Sequence, residues 1–386
     1  MIKRFSRYAA TALTPLDYLR PLRRKRGDIH VGWCSVFPPT PNGAATLAHT
    51  VIRRLAREPG ICVSAIPYGG RIDKRLFPRL HFTTVNDRSL DVVIFFCLGP
   101  HIAPYLSRAR AKRTLVWQTA HESITADERE AALFEIVRKA DGILTMSRSA
   151  FEEYRLHGAD NAAYLPAGVD TDVFSPRSRQ GGPLRVLCAT RIHYYKGVSA
   201  YLDSITLILR RRPDIRFTLH GPIDMNTNYY AEITGRIEEI KARFPANFSY
   251  QGQWLPPEEL PGIFRAADLF VFPSDNEGFG VPLIEAMSCG MPCIVMDKAP
   301  MNEIVRDRVT GCCLPVGIQS RRRYHGYRFP SPEDIAGAVL AQDDCRQTHE
   351  RMSMAARQRA LEEYSLEGCV RGLTGHIRRL LSEGSL

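Results

Sequence analysis

"LFVFPSDNEGFGVPLIEAMSCGMPCIV", residues 269–295, holds two short apolar runs with a helical stretch between them. Leu269–Pro273 and Pro292–Val295 have the length and apolar content of buried strands. Val281–Ser288 reads as a helix, with Pro282 in its first turn, where a missing N–H costs nothing. Strand, glycine turn, helix, strand is the repeating unit of a parallel sheet covered by helices.

The same alternation runs outward in both directions. Toward the N-terminus it predicts strands at His30–Ser35, Cys62–Pro67, Val92–Phe96, Leu115–Gln118, Gly142–Thr145 and Ala163–Pro166, with helices at Ala44–Arg57, Asp127–Ala140 and Ser149–Leu156. The second half adds strands at Arg185–Ala189, Arg216–Gly221 and Phe248–Gly252, and helices at Val198–Arg211, Tyr229–Phe244 and Pro257–Ala266. Helices near Pro332–Ala341, Arg346–Tyr364 and Leu366–Leu381 close the chain. The polar stretch Ser175–Pro183 looks like a linker. The expected organisation is a basic segment 1–27, a Rossmann-like domain 28–174, a second Rossmann-like domain 175–365, and a C-terminal helix 366–386 that crosses back to the first domain. Ligands of such sheets bind outside the carboxyl ends of the strands. With two domains in tandem, the expected binding place is a cleft between them.

Composition narrows the class. The chain has 386 residues, 44% hydrophobic and 24% charged, which suits a globular protein with ample core. No apolar run approaches the ~18 residues that a membrane helix needs. Net charge is +11, and residues 1–26 hold eight Lys or Arg against the single acid Asp17. That segment reads as a disordered tail or a basic membrane-surface segment, with a transit peptide as a further reading; it lacks the apolar core of a secretory signal. Arg71–Arg79, Arg108–Arg113 and Arg321–Arg328 are further basic clusters, and such patches favour anionic partners. They lack a recognisable nucleic-acid module. The ten cysteines form no zinc-type double pair, which reads as a reduced, cytosolic chain.

Four strand-end loops carry candidate chemistry. Gly278 and Gly280 let backbone approach a ligand, and the free N–H groups at the following helix start suit an anion. Glu285, one turn into that helix, can accept hydrogen bonds from a vicinal diol such as a ribose. Glu277 would reach hydroxyls on the far side of the phosphates. On spacing alone, Glu285 serves equally well to complement the helix dipole, and Glu277 as a solvated loop carboxylate. In "TRIHYYKG", 190–197, Arg191 and Lys196 are fixed charges placed to neutralise phosphate, although either alone reads as a surface base. Asn42-Gly43 opens the first helix and is a candidate phosphate or acceptor contact. His121 ends a strand in "VWQTAHES". "DTD", 170–172, and Ser147 read as structural, the serine as a helix cap.

Together these loops resemble the family-four retaining glycosyltransferases of the GT-B fold. The matching pieces run in order: Pro38–Gly43, His121-Glu122, "LPAGVDTDVFSP" (165–176), Arg191 with Lys196, and "EGFGVPLIEAMSCGMPCIV" (277–295), the last carrying the Glu-x7-Glu motif. The resemblance covers about residues 28–370. It implies that Glu277 contacts donor-sugar hydroxyls and that the backbone of Phe279, Gly280 and Val281 lines a sugar diphosphate. It places Glu285 on the ribose, Arg191 and Lys196 on the diphosphate, and His121 facing the transferred sugar. It implies no metal, no cofactor and no separate protein base. Two features depart from the family pattern: Asn42-Gly43 stands where many members have two glycines, and a basic segment, 318–332, follows the Thr310–Pro315 turn.

The expected function is transfer of a sugar, with retention, from a UDP- or GDP-linked donor to a hydroxyl of a glycan or lipid-linked acceptor in cell-envelope or polysaccharide synthesis. Asn42, Arg71, Lys74 and Arg75 are the candidate acceptor contacts. Location would be cytoplasmic, with residues 1–26 offering a hold on an anionic membrane face; nucleic acid is not an expected partner. Two alternatives stand beside this. A nucleotide-sugar 2-epimerase would share the architecture but need no acceptor, and a non-catalytic binder would be either a nucleic-acid protein using the net charge of +11 or a degenerate transferase that binds nucleotide.

Overall fold

Apolar runs in the first part of the chain become parallel strands because both sheet faces are covered. The computed structural model describes residues 11–14, 17–18, 22, 24–38, 43–68, 71–78, 80–97, 99–118, 124, 128–177, 181–225, 229–317 and 327–383. The chain divides into two units, Met1–Gly168 with Leu366–Leu386, and Val169–Ser365.

In the first unit the elements are β1 (Thr11–Ala12), β2 (Ile29–Ser35), α1 (Gly43–Leu55), β3 (Ile61–Pro67), β4 (Arg71–Ile72), β5 (His81–Phe82), β6 (Val92–Phe96), α2 (Ala103–Leu106), β7 (Arg113–Gln118), α3 (Glu128–Val137), β8 (Gly142–Thr145), α4 (Arg148–Leu156) and β9 (Ala162–Tyr164). Seven strands form one sheet in the order β5-β3-β2-β6-β7-β8-β9, with parallel pairing throughout. The order reverses between β2 and β6, which is the switch point of a Rossmann-like sheet. Trp33, Phe96 and Trp117 pack on neighbouring central strands with ring centres 5.0–6.1 Å apart. The Ser147 hydroxyl caps α4 by accepting from the Ala150 N–H, so the helix begins at Arg148.

The described part of the basic N-terminal segment is not a tail. β1 pairs antiparallel with β4, Asp17 takes the Lys74 ammonium at 2.8 Å, and Arg24 meets Asp91 at 2.6 Å. The hydrogen bond from Lys74, with further help from Thr14, holds the Asp17 carboxyl down at about 2. The sequence reading missed this because the one acid among eight bases finds its partner 57 residues away.

The second unit contains β10 (Arg185–Ala189), α5 (Val198–Leu209), β11 (Arg216–His220), α6 (Tyr229–Arg243), β12 (Phe248–Gln251), α7 (Leu260–Arg265), β13 (Leu269–Phe272), α8 (Val281–Ser288), β14 (Cys293–Met296), α9 (Met301–Ile304), β15 (Gly311–Leu314), α10 (Pro332–Asp344) and α11 (Arg346–Glu363). Its sheet order is β12-β11-β10-β13-β14-β15. This is the doubly wound 3-2-1-4-5-6 arrangement, with its switch point between β10 and β13. β13 and β14 are buried along their whole length, as their unbroken apolar sequences require. Thr310–Pro315 contains the parallel strand β15 rather than only a turn. Gly311 belongs there because a Cβ would lie 1.9 Å from the Cys293 carbonyl oxygen, so only glycine lets the two backbones approach.

The units meet in the chain at Gly168/Val169, six residues before the expected boundary at 174/175. Residues 169–174 are held by second-unit partners. The Val169 N–H donates to the Tyr364 carbonyl at 2.8 Å, Phe174 packs edge-on against Phe264, and Arg357 caps the Thr171 and Phe174 carbonyls. Asp170 of the "DTD" triplet accepts from the Asp172 and Val173 N–H groups and closes this turn. The last helix, α12 (Leu366–Ser382), belongs to the first unit and packs against α1.

Candidate functional site

Two loops leave the carboxyl ends of β10 and β13, on either side of the second unit's switch point. Parallel pairing puts Val186 beside Leu269 and Leu187 beside Phe270, so the loops that follow are neighbours. The backbone ties them together, since the Asp275 N–H donates to the Tyr195 carbonyl at 3.0 Å. Gly197 makes the close approach possible. Its φ is +66°, and a Cβ there would lie 2.1 Å from the Pro273 carbonyl oxygen.

This contact brings Lys196 and Glu277 together across 81 residues of sequence. The Lys196 ammonium donates to Glu277 Oε1 at 2.6 Å and to the Asn276 carbonyl at 3.1 Å. Both side chains are about one-tenth exposed. An ammonium has three donors, and these two acceptors are the ones the described residues supply. Its third N–H can therefore serve a ligand. Arg191 is exposed, and its Nη2 donates to the Tyr195 hydroxyl at 3.2 Å. Its remaining N–H groups meet no acceptor among the described residues.

The next turn builds the second half of the site. Gly280 sits at φ +108° and starts α8, with Pro282 in its first turn. Phe279 is buried against Tyr364, which fixes the loop just before the helix start. Glu285 follows one turn later and is buried, 7% exposed. No hydrogen bond or ion pair from a described residue reaches its carboxylate. Burial without a counter-charge pushes its pKa up to about 8. A buried carboxyl lacking a protein partner is costly to keep unless something else uses it.

The other candidates fall differently. Asn42, His121 and the basic stretch 318–326 lie outside the described residues, as does the side chain of Arg71. Gly43 is the first residue of α1, and a Cβ there would meet nothing within 4 Å. Lys74 and Arg75 are not in an open loop. They form a short 3-10 turn capped by Asp73, with Lys74 paired to Asp17 and Arg75 paired to Asp73 at 2.8 Å.

Sequence reasoning passed over the aromatics of "IHYYKG". His193 lies with its ring 4.1 Å from Tyr194 and 4.2 Å from Tyr195, and Tyr327 closes on both tyrosines at 5.4 and 5.9 Å. His193 is buried, which lowers its pKa, and its Nδ1 has no hydrogen-bond partner among the described residues. The signal was present: three aromatic rings between two cations in one strand-end loop.

Residues 170–323 match the model of the family described as glycosyl transferases group 1. A D-inositol 3-phosphate glycosyltransferase of Paenarthrobacter aurescens is 29% identical over 216 residues, 52% of this chain and 48% of that protein. A GDP-mannose-dependent α-(1-6)-phosphatidylinositol monomannoside mannosyltransferase of Mycolicibacterium smegmatis is 28% identical over 253 residues, 59% of this chain and 64% of that protein. The similarity to these curated relatives thus spans between about half and two-thirds of their length. Among solved structures, Anabaena HepE in complex with UDP and glucose superposes with a TM-score of 0.73 at 14% identity, covering 91% of this chain and 100% of that one. Sucrose-phosphate synthase of Thermosynechococcus elongatus gives a TM-score of 0.72 at 17% identity, covering 92% and 100%. The fold is GT-B, and within the second unit residues 170–323 match the glycosyl transferases group 1 family.

Proposed function

We propose that the chain is a retaining glycosyltransferase that moves a sugar from a nucleoside-diphosphate donor to a hydroxyl acceptor. The observation that carries this reading is the Lys196–Glu277 pair at the Rossmann switch point, one loop away from Glu285, which is buried with no partner among the described residues. Arg191 and Lys196 have donors to spare for a diphosphate. Glu285 accepts from the ribose diol, and Glu277 accepts from hydroxyls of the donor sugar. The bond from the anomeric carbon to the diphosphate oxygen breaks as negative charge grows on the phosphate. Fixed cations stabilise that charge without reorganising at the moment of reaction. The acceptor oxygen attacks from the face that the diphosphate leaves, and its proton passes to the departing phosphate oxygen. No metal and no separate protein base enters this scheme.

UDP and GDP are the favoured donor nucleotides. HepE is solved with UDP, and the mannosyltransferase relative is named for GDP-mannose. Both curated relatives are named for phosphorylated inositol acceptors. A phosphate-bearing acceptor, glycan or lipid-linked, also suits a chain of net charge +11. Residues 1–26 would add to its hold on an anionic membrane face, at ~1 kcal/mol for each base near the surface. Replacing Lys3, Arg4 and Arg7 by Gln should then weaken sedimentation with anionic vesicles and leave neutral vesicles unaffected.

A thermal-shift panel of UDP, GDP, ADP, CDP and dTDP tests the donor reading. A nucleotide at a hundred times its Kd adds about 2.7 kcal/mol to stability, a readily measured shift. Glu285→Ala should weaken the winning nucleotide. Glu277→Ala should spare the free nucleotide and cut transfer from its sugar conjugate. Equal loss of free nucleotide in both variants would refute the division of labour.

A further inference from the structure

One side chain touches both cations of the site. The Tyr195 hydroxyl accepts from Arg191 Nη2 at 3.2 Å, and the Tyr195 ring centre lies 4.7 Å from the Lys196 ammonium. The ring is itself held in place. His193 lies against it at 4.2 Å, and Tyr194 meets it edge-on at 5.4 Å. Tyr327 approaches at 5.9 Å. The Tyr195 carbonyl anchors the neighbouring loop by accepting from the Asp275 N–H and, at 3.4 Å, from the Ser274 hydroxyl.

Arg191 needs such a hold. It is exposed, and Tyr195 is its hydrogen-bond partner among the described residues. A free arginine side chain samples many rotamers and loses them on binding a ligand, which lowers affinity. A packed phenol whose oxygen takes one guanidinium N–H removes much of that freedom in advance. It leaves the other edge of the planar fork to grip a phosphoryl group. Having accepted from Arg191, the phenol still holds its own O–H, which no described residue accepts. That proton can be given to a phosphate oxygen gripped by the same guanidinium. The Lys196 contact works in parallel, since the ring face attracts the ammonium and steadies it beside Glu277.

We infer that Tyr195 is a positioning residue for the diphosphate, setting Arg191 through its hydroxyl and Lys196 through its ring. This rests on the donor-site reading proposed above and assigns a role to a residue outside the acid and base pairs of that reading.

The test is a set of nucleotide titrations on the full chain by calorimetry, using UDP, GDP, UMP and GMP. Tyr195→Phe keeps the ring and removes the hydroxyl. It should weaken the diphosphate that binds about fivefold, and the corresponding monophosphate less. Tyr195→Leu removes both contacts and should cost more, about twentyfold or above. The decisive arm is a double-mutant cycle. In an Arg191→Ala background, Tyr195→Phe should have a clearly smaller effect on diphosphate affinity, because only the phenol's own donation remains to be lost. A purely structural tyrosine would weaken binding by the same factor in both backgrounds, and that result overturns the inference. So does a Tyr195→Phe variant that binds the diphosphate as the wild type does. Melting curves without ligand check folding; if Tyr195→Leu loses its cooperative transition, Tyr195→Phe and the cycle carry the test. A wild-type chain that binds neither UDP nor GDP defeats the donor-site reading itself, and the inference with it.

Discussion

Glu277 and Glu285 stand eight positions apart in sequence and look alike there, but folding gives them opposite electrostatic settings. Glu277 meets an ammonium at 2.6 Å, whereas Glu285 is buried with its pKa raised to about 8 by desolvation. The sequence made both carboxylates legible as site candidates, because glycines and a helix-start proline mark the loop around them. It could not show the Lys196 partner, which depends on a contact 81 residues away, nor the burial of Glu285. The difference is testable at Glu285. An acid whose folded pKa lies above its unfolded value is protonated in the folded state after the unfolded chain has ionised. Its burden is absent below about 4.5 and grows as pH rises toward 8. Glu285→Gln removes the titration and keeps the shape. The variant should melt higher than wild type at pH 8 and nearly the same at pH 5, while binding its nucleoside diphosphate less well. Equal melting differences at both pH values would contradict the burial argument.

At the scale of elements, punctuation decided what could be read. The helix Val281–Ser288 is found with the bounds its Gly280-Val281-Pro282 start and Cys-Gly end suggest. The strand β15, Gly311–Leu314, was hidden by its glycine, because a residue that signals a turn also permits close strand approach, as Gly311 does beside Cys293. Tyr195 was hidden for another reason, since tyrosine carries no positional signature and its role comes from three neighbouring rings and two cations. Gly197 is the element-scale hinge of the site. With φ at +66° and a carbonyl 2.1 Å from where a Cβ would go, Gly197→Ala should push the β10 loop away from β13. The cost should be about 2–4 kcal/mol, combining left-handed strain with displacement of backbone. Because the same movement separates Lys196 from Glu277, nucleotide affinity should fall along with the melting temperature. A Gly197→Ala protein that melts lower yet binds nucleotide normally would show that the two loops hold their geometry independently.

For the whole molecule, the two units should respond differently to pH. In the first unit His30, His81 and His376 are held below the ordinary imidazole value, with burial the largest cause in each. In the second, His193 and His220 are lowered the same way. Charged groups face several of them: Asp87 and Arg24 lie near His30, Asp87 near His81, and Asp224 with Arg191 and Lys196 near His193. A depressed imidazole contributes stability that is complete above about 6.5 and is lost as pH falls through its folded value. Both units therefore weaken on the acid side. Asp17, at about 2 when folded, adds a later loss in the first unit once pH drops below its ordinary value of 3.8. On the alkaline side Glu285, in the second unit, is the described acid whose raised value reaches this range, while the exposed Cys345 thiol of the same unit, lowered by its bond with Thr348, acts in the opposite sense. Buried thiols such as Cys188 and Cys369 add little up to pH 8, because an unfolded thiol ionises mainly near 9. Raising pH from 6.5 to 8 should thus weaken the second unit and leave the first unchanged, so that the two unfolding midpoints shift relative to each other. The tryptophans make this visible. Trp33 and Trp117 lie in the first unit and Trp254 in the second, so Trp254→Phe leaves fluorescence that reports the first unit alone. In urea, that signal should keep its midpoint between pH 6.5 and 8, while circular dichroism of the same variant shows an earlier phase at pH 8. Adding Glu285→Gln should abolish the earlier phase. If the phase persists in the glutamine variant, the alkaline weakening comes from some other group, and the buried carboxyl is not what sets the second unit's stability.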